Sequence, residues 1–299
     1  MRRIVTTVGL IGILILGSAT RVVARHTIFG PSLITDDAGT EPRGVFEWGT
    51  GFIHTGSPGF YTGKVVTALT TGLTDKLEVF VAPEVYDAIW GSDVKAGGAL
   101  QMVTGGHGSV YELCDDIWVG AKYQFREEKG SAPAIACRLK IKFPGRYKDE
   151  GLTSGEMDEE IALCLTKSFG KGRVLGMFPK LQLDVNLGYR DIGVPSLPPG
   201  MDWADEVRYS ASVMYPIMFP GFSLKDAPWR GILLCADLVG MTNKTEGDGD
   251  ITFEGNILDA YLGVKQYITR PLYYKAGLGT RLSAAIPDYL VYLGVAYGF

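Results

Sequence analysis

The sequence is poor in the groups that build metal and redox centres. It has only three histidines, His26, His54 and His107, and none lies in an HExxH or another ligand-like cluster. Its four cysteines, Cys114, Cys137, Cys164 and Cys235, show no CxxC spacing. No metal site and no cofactor is therefore expected. Charge of one sign is also lacking: 29 Lys and Arg face 33 Asp and Glu, a formal net charge of −4, which removes the basic character that a nucleic-acid partner requires. After the first residues no apolar run reaches the length of a membrane-spanning helix. The one long run, Ile4 to Leu16, falls short of the roughly 20 residues such a helix needs. Arg2 and Arg3 precede it, and Gly17-Ser18-Ala19 or Val22-Val23-Ala24 offers a cleavage site after it. Residues 1–24 thus read as a secretion signal, with a retained anchor as the alternative.

What the chain does have is glycine (40), tyrosine (15) and many short stretches of strict alternation. In KLEVFVAPEVY, Leu77, Val79, Val81 and Val85 oppose Glu78 and Glu84. In AIACRLKIKF, Ile135, Leu139, Ile141 and Phe143 oppose Arg138, Lys140 and Lys142. In PKLQLDVNLGY, Leu181, Leu183, Val185 and Leu187 oppose Lys180, Gln182, Asp184 and Asn186. Period-2 alternation over about 10 residues is the mark of a tilted transmembrane strand with one face in lipid. Twelve such strands are expected, at 44–54, 61–71, 76–87, 117–126, 134–143, 159–167, 178–189, 207–217, 230–239, 257–267, 272–281 and 289–299. A thirteenth stretch, Val94 to Thr104, would reverse the alternation of long outer loops and short inner turns, so it is assigned to a long loop that folds over or into the mouth.

The expected fold is all-β: a transmembrane antiparallel up-and-down barrel of about 12 strands over residues 44–299. The bacterial outer membrane is its expected location and outer-membrane lipid its expected surroundings. In the last strand Tyr289, Val291, Leu293, Val295, Tyr297 and Phe299 share one face. That pattern is similar to the signal read by the outer-membrane barrel assembly machinery, an expected partner through Phe299.

Parity assigns a set of polar residues to the lumen. The basic ones are Lys122, Arg126, Arg138, Lys140, Lys142, Lys180, Arg208, Lys265, Lys275 and Arg281; the acids are Glu47, Glu78, Glu84, Glu160, Asp184, Asp237 and Asp259. Two readings of them compete: a cross-strand network that fills the lumen, and a hydrated path favouring anions. Twelve strands lie between the filled eight-strand barrel and the open channel of 16–18 strands, and both readings can hold together. Tyr61, Tyr86, Tyr261, Tyr273 and Tyr292 are expected to face the lumen as well. Residues 25–43 contain no alternating strand, so they form a periplasmic tail or an inserted plug, with Asp36 and Asp37 as the gating candidates. Cys137 and Cys164 fall on opposite faces and should not bridge. His54 and His107, near the outer rim with Ser57 and Ser109, are the residues a lipid-modifying enzyme would need, but no motif unites them. The loop Asn243 to Asp250 is acidic and glycine-rich, yet lacks the spacing of a calcium loop.

The segments PSLITDDAGTEPRGVFEWGTGF, TTGLTDKLEVFVAPEVY, DDIWVGAKYQF, AIACRLKIKFPG and PKLQLDVNLGYR, followed by the terminal strand, together resemble the outer-membrane barrel family labelled as a meta-pathway phenol-degradation protein. The likeness runs through nearly the whole chain after residue 24. It implies a barrel without enzymatic chemistry, linked by its label to aromatic-compound catabolism, and it supplies no catalytic residues. The function expected is passive transport of a small-molecule solute, aromatic or hydrophobic compounds among them. A non-conducting structural or adhesive barrel and a lipid-modifying enzyme are the alternatives.

Overall fold

A computed structural model describes residues 35–57, 60–90, 110–113, 116–144, 156–174, 178–192, 206–217, 232–243, 257–268, 272–283 and 289–299. The signal region 1–24, the Val94 to Thr104 stretch, His26, His107 and nearly all of the acidic loop lie outside them. Alternation and glycine-rich turns give strands throughout: β1 (Phe46–Ser57), β2 (Phe60–Thr74), β3 (Leu77–Trp90), β4 (Val110–Leu113), β5 (Ile117–Arg126), β6 (Ala134–Phe143), β7 (Asp158–Val174), β8 (Phe178–Ile192), β9 (Glu206–Ile217), β10 (Ile232–Asn243), β11 (Ile257–Tyr267), β12 (Leu272–Arg281) and β13 (Tyr289–Gly298). Each neighbour pair is antiparallel, and β1–β13 and β2–β3 close the ring, so twelve strands form a barrel without edges. Among the described residues there is no helix long and apolar enough to cross a membrane; the crossing elements are strands.

The strand beyond the twelve is an extension of one of them. β4 and β5 both pair with the same edge of β3, β5 up to Pro83↔Ile117 and β4 from Tyr86↔Leu113. Between the two pairings the Glu84 N–H donates to the Asp116 carbonyl at 2.8 Å. The expected ladder of twelve therefore stands, with β4 pairing the same edge of β3 farther toward the outer mouth.

The two faces separate by chemistry. Leu262 and Leu278 are opposite each other in mid-barrel and stand 70% and 67% exposed on the outside, with Leu139, Ile161, Leu163, Leu187, Leu234, Leu238 and Leu293 on the same surface. An apolar belt of that extent fits lipid rather than water. Aromatic rings rim it at both ends. At the inner end, where the chain enters β1, Phe46 stacks on Phe299 at 5.9 Å, and Trp48 is exposed nearby. At the outer end His54 lies among Phe52, Tyr61 and Tyr289, with centroids 5.6–6.3 Å away.

Two expectations from parity fail here. Tyr61 faces outward in that rim rather than into the lumen, because it pairs with Gly56 on the lipid-side row of β1 while Lys64 takes the inward row. Arg126 is exposed at the inner rim, where its Nε donates to the Pro133 carbonyl at 3.0 Å; a register shift between Gln124 and Arg126 ends the alternation before it reaches that residue. His54 meets the Tyr289 hydroxyl at 3.3 Å within the aromatic rim, which gives it a structural surrounding.

Candidate functional site

Strand register decides which lumen groups meet. Lys140 lies opposite Glu160, Glu160 opposite Arg190, Arg190 opposite Glu206, and Lys142 opposite Asp158, so charges of opposite sign fall together across β6, β7, β8 and β9. Glu160 takes Arg138 at 2.7 Å, Lys140 at 2.9 Å and Arg208 at 3.7 Å. Lys142 reaches Asp158 at 2.9 Å and Asp116 at 3.3 Å. Arg190 pairs with Asp158 and sits 3.8 Å from Glu206, which also holds Arg208 at 2.7 Å. Within this network lies Trp118. Lys140 and Arg190 stand over its ring at 5.2 and 5.0 Å from the centroid, and its Nε1 donates to Glu84 at 3.0 Å; Lys64 pairs with the same carboxylate.

The opposite wall is built differently. Lys265 and Lys275 face each other across β11 and β12, both buried. The Lys265 ammonium lies 3.8 Å from the Tyr273 ring centroid and 4.9 Å from that of Tyr267. The Tyr273 hydroxyl donates to Glu47 at 2.8 Å. Tyr261, Tyr292, Leu233, Met214 and Cys235 complete this aromatic and apolar side. Nearer the outer mouth Arg281 holds Asp259 at 3.0 Å.

Between the walls runs the chain itself. Residues 35–41, Thr-Asp-Asp-Ala-Gly-Thr-Glu, lie inside the barrel with every residue but Gly39 buried. The segment rises from the inner end to mid-height. Thr40 Oγ1 donates to the Asp75 carbonyl at 2.9 Å, and the Glu41 N–H to Glu78 Oε2 at 2.8 Å. Higher up, the Ala38 N–H donates to Thr166 Oγ1 and its carbonyl accepts from Gln124 Nε2, both at 2.8 Å. Asp37 lies 3.7 Å from Lys122, which also pairs with Glu78 at 3.0 Å. Asp36 pairs with Arg138. Asn186, with its amide in the orientation that satisfies both of its ends, brackets the Asp36 backbone with two 2.9 Å bonds. Asp184 accepts from Thr166 at 2.7 Å beside them. Ala38 packs on Ala134, Ala136 and Cys164.

The turn into β1 is made by Gly44, whose φ of +75° side chains rarely adopt. It passes against Gly72, where an added Cβ would fall on the carbonyl oxygens of Glu41 and Pro42. Of the two arrangements left open for this region, the inserted one is the geometry of residues 35–41.

The structure thus brings Lys122, Arg138, Lys140, Lys142, Arg208 and Asp184 around or above the inserted Asp36 and Asp37. Asp259 with Arg281, and Lys265 with Lys275, stand elsewhere in the lumen. The backbone of Lys180 belongs to β8; its side chain, like that of Tyr86, is outside the described residues. Sequence reasoning omitted Lys64, Asp116, Trp118, Asp158, Arg190 and Glu206. Asp116, Asp158, Arg190 and Glu206 each lie one residue beyond an expected strand end, where continued alternation was the available signal. Among the described residues no group of His, Cys, Asp and Glu is arranged to hold a metal ion. Cys137, Cys164 and Cys235 are free thiols, and Cys137 and Cys164 lie on opposite faces.

No protein-family model matches the chain, and no curated protein matches it. The meta-pathway label accordingly gains no support from either comparison. Solved structures do match. The NanC porin superposes with a TM-score of 0.50 at 7% identity, covering 84% of this chain and 98% of its own. The transport unit of the autotransporter AIDA-I from Escherichia coli gives 0.49 at 12% identity, over 85% and 90%. LpxR from Salmonella typhimurium gives 0.48 at 9% identity, over 83% and 99%. At 7% identity the likeness to the NanC porin establishes the barrel fold and nothing finer.

Proposed function

We propose that the chain is an outer-membrane channel for passive uptake of small molecules, closed in this conformation by its own residues 35–41. The observation that carries the reading is the way that segment is held. It lies buried in the inner half of the lumen, held by hydrogen bonds and ion pairs to the wall, and it turns into β1 at Gly44. Such bonds exchange readily with water, so the segment can leave without unfolding a strand. Lifting it out would open a path between a charged wall and an aromatic one. The aromatic or hydrophobic class of solute is supported by the sequence resemblance and by Trp118, Tyr261, Tyr273 and Tyr292 on the lumen side. The outward apolar belt and the barrel fold support the outer membrane as the location. The rim position of His54, with Tyr289 as its polar neighbour, supports no enzymatic role.

A non-conducting barrel is the second reading, favoured by the near-complete burial of Lys122, Asp184, Lys275 and their neighbours. The test is conductance in a planar bilayer with and without residues 26–43, after heat-modifiable gel migration has shown a folded barrel. Discrete steps on truncation support the channel. A folded truncated barrel that passes neither ions nor an aromatic solute is the structural barrel instead.

A further inference from the structure

The two cations that hold the segment, Lys122 and Arg138, each meet one wall acid as well, Glu78 at 3.0 Å and Glu160 at 2.7 Å. Glu160 is shared among Arg138, Lys140 and Arg208, at 2.7, 2.9 and 3.7 Å. Lys122 and Arg138 are direct register partners across β5 and β6. Like charges placed opposite each other weaken a ladder unless an anion lies between them. Asp36 and Asp37 add anions to those of Glu78 and Glu160: one carboxylate is on Arg138, the next on Lys122. We propose that Lys122 and Arg138 form a binding site for a carboxylate-bearing solute, and that residues 35–41 occupy it as an internal stand-in for that solute. The proposal rests on the channel reading and narrows its solute class. Lys140 and Lys142 continue the row toward the outer mouth on the same face of β6. Trp118, flanked by Lys140 and Arg190, offers a ring face beside the charges. An aromatic ring bearing carboxylates matches both features: the carboxylates for Lys122 and Arg138, the ring for the face of Trp118.

Cys164 reports on the site, since it is fully buried against Ala38 of the segment. The test uses the full chain in liposomes with Cys114, Cys137 and Cys235 replaced by alanine, and follows labelling of Cys164 by a small uncharged thiol reagent. Asp36→Asn with Asp37→Asn removes two charge-assisted contacts and should speed labelling by about tenfold or more. Phthalate should slow it again, and neutral phthalamide should not. Adding Lys122→Gln and Arg138→Gln should abolish the protection by phthalate. If the doubly substituted chain does not fold, Gly72→Ala, which displaces the segment from its entry and keeps every charge, is used with the same expectation. Labelling that ignores phthalate, or protection that survives loss of both cations, overturns the proposal. Conductance of the same liposomes is read separately. Protection without conductance keeps the site and sinks the channel; conductance without protection keeps the channel and sinks the site.

Discussion

At the residue scale, a buried charge on the segment's wall is tolerable where a counter-charge meets it. Lys122 is 1% exposed between Glu78 and Asp37. Lys122→Met should therefore cost about 3–5 kcal/mol, since it strands two buried carboxylates. The readout is the temperature at which the folded gel band disappears; an unchanged temperature contradicts the pairing. Glu128, in the turn after β5, has a different balance. Burial pushes its carboxyl up, but hydrogen bonds from Lys167 and Ser168 outweigh that and hold it below the usual glutamate range. A depressed folded value means that the contact stabilises fully above the ordinary glutamate pKa of about 4.3 and is lost as pH falls through the lower folded value. The stability difference between the wild-type chain and Glu128→Gln should thus shrink on acidification from pH 7, measured by urea unfolding. Parity in the sequence reached Lys122, Arg138 and Lys142 because they sit mid-strand between apolar neighbours. It missed Asp158 and Arg190 because a polar residue at a strand end looks the same as the first residue of a loop.

At the element scale the strands were legible and their ends were not. β7 and β8 run beyond the stretch with clean alternation, since hydrogen bonding continues after the lipid face stops demanding apolar side chains. The short β4 left no trace in composition. The lipid face makes its own prediction. Leu262 is near the middle of β11 and 70% exposed. On a water-facing surface Leu262→Arg would be almost neutral; in a bilayer it should cost about 2–4 kcal/mol. Unfolding in liposomes distinguishes the two, and a neutral result removes the membrane from the account of this face. Rings covering glycines lock neighbouring strands. Tyr209 lies over Gly240 and Tyr289 over Gly56, so a Cβ on either glycine meets a ring.

At the scale of the whole molecule, twelve closed strands leave a hollow that one wall lines with ion pairs and the other with tyrosines and lysines. Residues 35–41 fill its inner half. Their insertion was not legible from the sequence, because a polar stretch without alternation has the same pattern in solvent as in a polar lumen. Gly72→Ala should push the segment from its entry at a cost of about 1–3 kcal/mol and leave the barrel folded, seen as faster Cys164 labelling with an unchanged shift in gel migration.

The central claim, that this segment closes a solute path, is tested most directly by locking it in place. Ala38 packs against Cys164 in one buried cluster, so Ala38→Cys gives the segment a thiol beside the native one. Single-channel conductance of that variant is recorded under oxidising and then reducing conditions, with Cys114, Cys137 and Cys235 replaced by alanine. The account predicts openings that vanish when the disulfide forms and return on reduction. Openings that persist with the segment cross-linked, or a reduced barrel that never opens, would contradict it.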